Sequence, residues 1–189
     1  MQRMMADAIT NIPSLASLIK VRYIGSVVNG TITAMHGDAE AQENLRQICI
    51  REEQASKYWN YVSCQMKAGD TAGCQASSGI DSTKLNTCIT DKNRGLAYAQ
   101  EDFDLSSKYS VQGSPTLILN GQLVSEFDFG GRSSDAIKNL LTCASETKPD
   151  FSETTLNANT AATSFSLTYA GSGSSGNSGS TGANCAPAQ

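Results

Sequence analysis

Six cysteines and a single histidine in 189 residues are the groups whose type and spacing point first to chemistry. Structural zinc sites set cysteines two to four residues apart, and no pair here has that spacing, so disulfides are expected and metal is not. Cys49, Cys64, Cys74 and Cys88 are separated by gaps of 14, 9 and 13 residues, and Cys143 and Cys185 follow. Dithiol catalysis needs a thiolate and a resolving thiol two residues on, both at a helix N-terminus that lowers their pKa. No Cys-x-x-Cys occurs, so no catalytic residue and no cofactor is assigned.

Disulfides imply an oxidising, extracytoplasmic compartment. The stretch Met1-Gln-Arg-Met-Met-Ala-Asp-Ala-Ile-Thr10 is amphipathic and lacks the continuous apolar core of a signal peptide. A chain incomplete at its N-terminus would reconcile the two. The net charge of -4, with scattered Lys and Arg, gives no reason to expect nucleic acid or an anionic membrane as partner. No apolar run approaches the roughly 18 residues of a membrane span.

Other candidate groups have plainer readings. His36 precedes a glycine and reads as a loop histidine rather than part of a Ser-His-Asp triad. Tyr58, Trp59 and Tyr61 read as packing, with a substrate-stacking platform as the alternative. Asp102 and Asp104 lie two apart, on different helix faces, and read as solvated surface. Gly130-Gly131 reads as a turn, and Asn29-Gly30-Thr31 as a hairpin turn more than as a glycosylation acceptor.

These residues need elements to position them. Met4, Met5, Ala8, Ile9, Ile12, Leu15, Leu18 and Ile19 recur at helical spacing, so residues 2–19 read as a helix broken near Asn11 to Pro13. Residues 20–28 read as a strand with Val21 and Tyr23 inward, and residues 31–35 as its return. Asp38 reads as an N-cap, with Glu40 and Glu43 suited to the helix dipole. One long helix, or two with a break, then runs through Met66. Asp81 caps a helix to Cys88, and another spans about 93–109, with Leu96, Ala99, Phe103 and Leu105 inward. Residues 116–120 and 123–127 form a hairpin about Gly121-Gln122, and residues 132–144 a last helix with Ile137, Leu140, Leu141 and Cys143 inward.

If the helix after Asp38 is continuous, Cys49 and Cys64 lie about 22 Å apart and cannot bond. Two pairings remain: Cys64 with Cys74 and Cys49 with Cys88, or Cys49 with Cys74 and Cys64 with Cys88. The short loop between Cys64 and Cys74 favours the first. Composition shifts at Lys148. Residues 1–147 read as one domain, able to bury roughly two thirds of its unfolded surface, with a helical insertion at about 38–109. Residues 148–189 read as a Ser/Gly/Thr-rich tail too poor in apolar groups to order itself, apart from a possible edge strand over Phe165 to Tyr169. Cys143 and Cys185 are left as a tail bridge, an intermolecular bond or free thiols.

Val111-Gln-Gly-Ser-Pro-Thr-Leu-Ile-Leu-Asn-Gly121 places a proline before a short apolar strand that ends in an Asn-Gly turn. Proline cannot donate to a ladder and belongs at a strand entrance or edge. This run, with His36-Gly37 and the four cysteines in order before it, resembles the gamma-interferon-inducible lysosomal thiol reductase family and the related DsbA-like proteins of the thioredoxin superfamily. The resemblance covers about residues 2–146. It implies an α/β, thioredoxin-like fold with a helical, disulfide-bearing insertion, missing its first strand. It also implies a cis Ser114-Pro115 bond whose backbone pairs with an extended substrate segment. In the family the first strand leads into Cys-x-x-Cys, and Gln2-Arg3-Met4-Met5 resembles the helix just after that motif.

No cysteine here matches the motif's two positions, so only Ser114 and Pro115 transfer, as substrate-groove residues. The implied activity is thiol-disulfide exchange on protein or peptide thiols and disulfides, catalytically incomplete in this chain. The alternative is a redox-inactive thioredoxin-like module that holds an extended peptide or partner in the Pro115 groove.

Overall fold

The computed structural model describes residues 1–170. In chain order these form α1 (Gln2–Asn11), the hairpin β1 (Ser26–Val28) and β2 (Thr31–Thr33), and α2 (Asp38–Glu53). Next come α3 (Ala55–Ala68), α4 (Thr71–Ser77), α5 (Ser82–Thr90) and α6 (Ala97–Lys108). The hairpin β3 (Leu117–Leu119) and β4 (Gln122–Val124) and the helix α7 (Ser134–Cys143) complete the order. The class is α/β, with seven α-helices and two antiparallel two-stranded sheets among the described residues. The two hairpins share no ladder. The chain divides into two compact units, one of residues 21–65 and 70–114, the other of residues 1–20, 66–69 and the described chain from Pro115.

The first of these units carries the four body cysteines. Its core cluster joins Tyr23, Ile32, Ala41, Ile48, Ala99 and Phe103, from the β1–β2 hairpin region, α2 and α6. Gly25 makes that packing possible: a Cβ there would stand 2.3 Å from the Thr33 carbonyl oxygen and 2.9 Å from the Phe103 ring. The expected strand over residues 20–28 shortens to Ser26–Val28. Upstream of it the backbone bonds to side chains instead, the Tyr23 N–H to Asp102 and the Val21 carbonyl to Arg51, so no ladder forms there. The return strand also stops early, at Thr33.

The long helix is two helices. Gln54 breaks it with φ -138° and ψ 44°, and its amide is stitched to the Asp81 backbone, accepting from the N–H at 2.8 Å and donating to the carbonyl at 3.1 Å. Gly37 rather than Asp38 occupies the N-cap of α2, which places Asp38 and Glu40 in the first turn, where the helix dipole favours them. The Asp81 carboxylate caps α5, accepting from the Lys84 N–H at 3.0 Å. A π-helical turn, Lys92–Leu96, leads into α6.

In the other unit α1 packs on α7, and Pro13–Ser17 forms a 3-10 turn after the break at Ile12. Met4, Ala8, Leu15, Ile137 and Leu140 are among its buried apolar residues. The turn of its hairpin is Asn120-Gly121, with φ 50° and 84°, so Gln122 belongs to β4 and not to the turn. β4 ends at Val124, and Glu126–Phe129 form a 3-10 turn rather than strand. Gly130 and Gly131, at φ 104° and 82°, form the turn read from the sequence.

The expected loss of order from Lys148 does not apply to residues 148–170. Leu156 and Ala161 are buried. Lys138 donates to the Thr154 carbonyl at 2.9 Å, and the Ser134 N–H donates to the Tyr169 hydroxyl at 2.8 Å. Phe165 to Tyr169 do not form the expected edge strand; the chain over residues 164–168 curls around Arg3. Its guanidinium donates to the carbonyls of Ser164, Ser166 and Thr168 at 3.1, 2.9 and 3.2 Å and also to that of Met66. The segment leaves Phe165 and Leu167 exposed, and one buried cation satisfies three of its backbone carbonyls.

Replacing Arg3 with Met keeps the stem and removes four donations. We expect a loss of about 2–3 kcal/mol in urea unfolding, from the stranded carbonyls, and faster amide exchange over residues 164–169. Unchanged exchange there would sink the assignment.

Candidate functional site

The four body cysteines form two bridges, Cys49–Cys88 and Cys64–Cys74, with Cα separations of 5.9 and 5.5 Å. This is one of the two pairings that the sequence leaves open. Cys49, Cys74 and Cys88 are 1%, 0% and 0% exposed, whereas Cys64 is half-buried, with its sulfur 3.7 Å from the Ser77 hydroxyl. An attacking thiolate needs a line of approach to a sulfur. Cys49–Cys88 offers none, and Cys64–Cys74 is approachable only at Cys64. Gly95 explains how a helical turn reaches the buried bridge: a Cβ there would lie 2.5 Å from the Cys88 carbonyl oxygen and 3.3 Å from the Cys49 sulfur.

Cys143 is disulfide-bonded as well, and no free cysteine occurs among the described residues. Cys185 lies outside the described residues.

Ser114 and Pro115 lie in a bend just ahead of β3, Ser114 exposed and Pro115 half-buried. The boundary between the two units falls at their peptide bond. The proline ring has no N–H to give to a ladder, so β3 begins two residues later.

The strongest electrostatic feature was not legible in the sequence. Asp102, read as solvated, is fully buried. Its carboxylate accepts a bidentate pair from Arg51 at 2.8 and 2.9 Å, a bond from Arg22, and the Tyr23 N–H at 3.1 Å. Burial works against the Arg51 charge. The bonds and charges of Asp102 and Glu52 outweigh it and hold the pKa above the ordinary arginine value. The available signal was phase: Asp102 follows Ala99 by three residues and Arg51 follows Ile48 by three, so both fall on inward stripes.

Beside this cluster the Tyr23 hydroxyl bonds Gln47 at 2.5 Å and the Tyr58 hydroxyl at 2.9 Å, and burial pushes the Tyr23 pKa well up. Tyr61 donates to Glu43 at 2.9 Å, and burial, with the Glu43 charge, raises its pKa too. Tyr58 and Tyr61 are therefore core residues with satisfied hydroxyls. Trp59 is half-buried and meets Tyr58 edge to face, with 5.1 Å between ring centroids.

His36 is exposed and pairs with Glu40 at 3.1 Å. A cleft of about 330 Å³ in the cysteine-bearing unit is lined by residues that include Ile32, Leu45, Ile89, Leu96, Asp38 and Lys92. Among the described residues no group of three or more His, Cys, Asp or Glu side chains is placed to hold a metal ion. No described helix is long and apolar enough to cross a membrane.

Compared with protein-family models and with curated proteins, the chain matches none.

Proposed function

We propose that this chain is a thioredoxin-superfamily protein of the thiol reductase and DsbA-like kind. Without a Cys-x-x-Cys it holds extended protein or peptide segments at Ser114-Pro115 and does not turn disulfides over itself. One observation carries the reading: a helical stretch closed by Cys49–Cys88 and Cys64–Cys74 runs directly into Gly113-Ser114-Pro115 and an apolar hairpin. The element order of helix, hairpin, bridged helices, hairpin and helix supports it. The two bridges are also compatible with an extracytoplasmic location.

Two properties follow from the chemistry. With their cysteines bridged, the described residues offer no dithiol to attack a substrate. A backbone next to a proline in a bend can still pair with a strand.

Purified protein with glutathione as sole reductant is expected to leave the rate of insulin disulfide reduction at the blank value. A labelled, extended peptide should bind it in fluorescence anisotropy, and Pro115→Ala should weaken binding about tenfold, the worth of one or two backbone hydrogen bonds. Insulin reduction several-fold above the blank overturns catalytic incompleteness. Peptide binding unaffected by Pro115→Ala overturns the groove.

A further inference from the structure

The bridge Cys64–Cys74 spans 10 residues of sequence and joins the end of α3 to α4. At 7 residues α4 is far short of the length at which a helix holds itself in water. Among the described elements it packs extensively against no other helix or strand. Its side-chain ties are local: the Asp70 carboxylate accepts from the Gly73 N–H at 3.1 Å, and the Gln65 amide donates to the Thr71 hydroxyl at 3.3 Å. Gln65 is 4% exposed, yet its side-chain oxygen has no hydrogen-bond partner among the described residues. The disulfide is therefore the main fastening of this loop.

The fastened loop carries contacts that reach far along the chain. Met66 lies in the last turn of α3, where a carbonyl finds no partner within the helix. It accepts instead from the Arg3 guanidinium and from the Ser166 N–H, the latter at 3.2 Å. Gly69, at φ 65°, lies against Phe165, and a Cβ there would stand 2.9 Å from the ring. Arg3 in turn donates to the carbonyls of Ser164, Ser166 and Thr168. The contacts of Met66 and Gly69 thus run to residues 164–168 or to the arginine that holds them.

We propose that Cys64–Cys74 is a dithiol-sensitive switch: its reduction frees the loop between α3 and α4, releases residues 164–168 and uncovers the Arg3 guanidinium. The reductant is a dithiol. Its first thiolate attacks the sulfur of Cys64, the half-buried member, and Cys74 leaves as a thiolate that takes up a proton. The second thiolate then attacks the reductant's own sulfur in the mixed disulfide, and Cys64 leaves and is protonated in turn. The bridge gains two electrons and two protons, and the dithiol ends as a disulfide. Cys49–Cys88 stays closed, because both of its cysteines are buried. Arg3 is 6% exposed in the bridged state, so loss of its carbonyl partners turns a covered cation into an open one. The inference does not depend on the oxidoreductase reading.

Graded dithiothreitol treatment of the full chain tests it, with one aliquot alkylated and mapped to identify the open bridge and another taken for amide exchange. Once Cys64–Cys74 alone is open, exchange over residues 164–169 should rise about tenfold, in line with the loss of one or two hydrogen bonds. Residues 21–28 should keep the rate of the bridged chain, and reoxidation should restore the slow rate over residues 164–169. Cys64→Ser with Cys74→Ser should exchange fast over residues 164–169 with or without dithiothreitol. Exchange of the unmodified chain decides the matter if that variant misfolds. Unchanged exchange over residues 164–169 with Cys64–Cys74 open overturns the proposal. So does a rise that residues 21–28 share to the same degree, which is general unfolding, and so does an opening of Cys49–Cys88 ahead of Cys64–Cys74.

Discussion

Replacing Asp102 with Ala is expected to lower stability by about 3–5 kcal/mol, because it takes the bidentate partner from the buried Arg51 charge and leaves it only the Glu52 contact. Arg51 is 8% exposed and gives two bonds to that carboxylate, and Arg22 gives a third. Removing the carboxylate strands more than charge. The Tyr23 N–H loses its acceptor, and Arg51 loses the hold that aims it at the Val21 carbonyl. Against a total of about 5–15 kcal/mol for a typical domain, the loss is a large share.

Urea unfolding measures it, and amide exchange locates it: the expected gain in exchange lies over residues 21–28, where side-chain partners hold the backbone. A paired variant, Arg51→Met with Asp102→Leu, removes both members of the bidentate pair and should cost less than the sum of the single changes, because the worst member of each single variant is an orphan. A cost under about 1 kcal/mol for Asp102→Ala would show that the cluster is solvated in solution.

This cluster also shows why parts of the fold were readable and others were not. Helices α1, α5 and α7 announce themselves, because periodicity and a local break, cap or turn (Pro13 after α1, Asp81 before α5, Gly130-Gly131 before α7) sit within a few residues of each other. The bridges of the site were legible to the same degree, since cysteine spacing narrows them to two pairings. What sequence could not supply were partners far along the chain. Gln54 is a good helix former, and α2 ends there because the Asp81 backbone engages its amide. Residues 20–25 look like strand, and they fail to pair because Asp102, 79 residues beyond Tyr23, takes the N–H first. The stretch 148–170 looks unable to fold by apolar count, and it is placed by Arg3, Lys138 and Ser134 instead. In each case a polar side chain from a distant element replaced a local interaction.

Loss of Cys49–Cys88, through the double replacement with Ala, is expected to cost about 4 kcal/mol from the unfolded-state entropy of a loop of this length. The separation is 39 residues, against 10 for Cys64–Cys74, for which the same relation gives about 2.7 kcal/mol. Packing widens the gap between them. Both cysteines of the longer bridge are buried, and a Cβ at Gly95, just ahead of α6, would lie 3.3 Å from the Cys49 sulfur. The bridge ties α2 to α5 and sets the entry to α6, and α6 carries Asp102. Its removal should therefore also raise amide exchange around Tyr23, through a loosened Asp102. Titration with a small dithiol, followed by alkylation and peptide mapping, separates the bridges by access: Cys64 and Cys74 should be alkylated first, because Cys64 is the half-exposed sulfur. Earlier alkylation of Cys49 and Cys88 would mean that the α2–α5 contact opens more readily than the α3–α4 contact. The order of the two stability losses should then reverse as well.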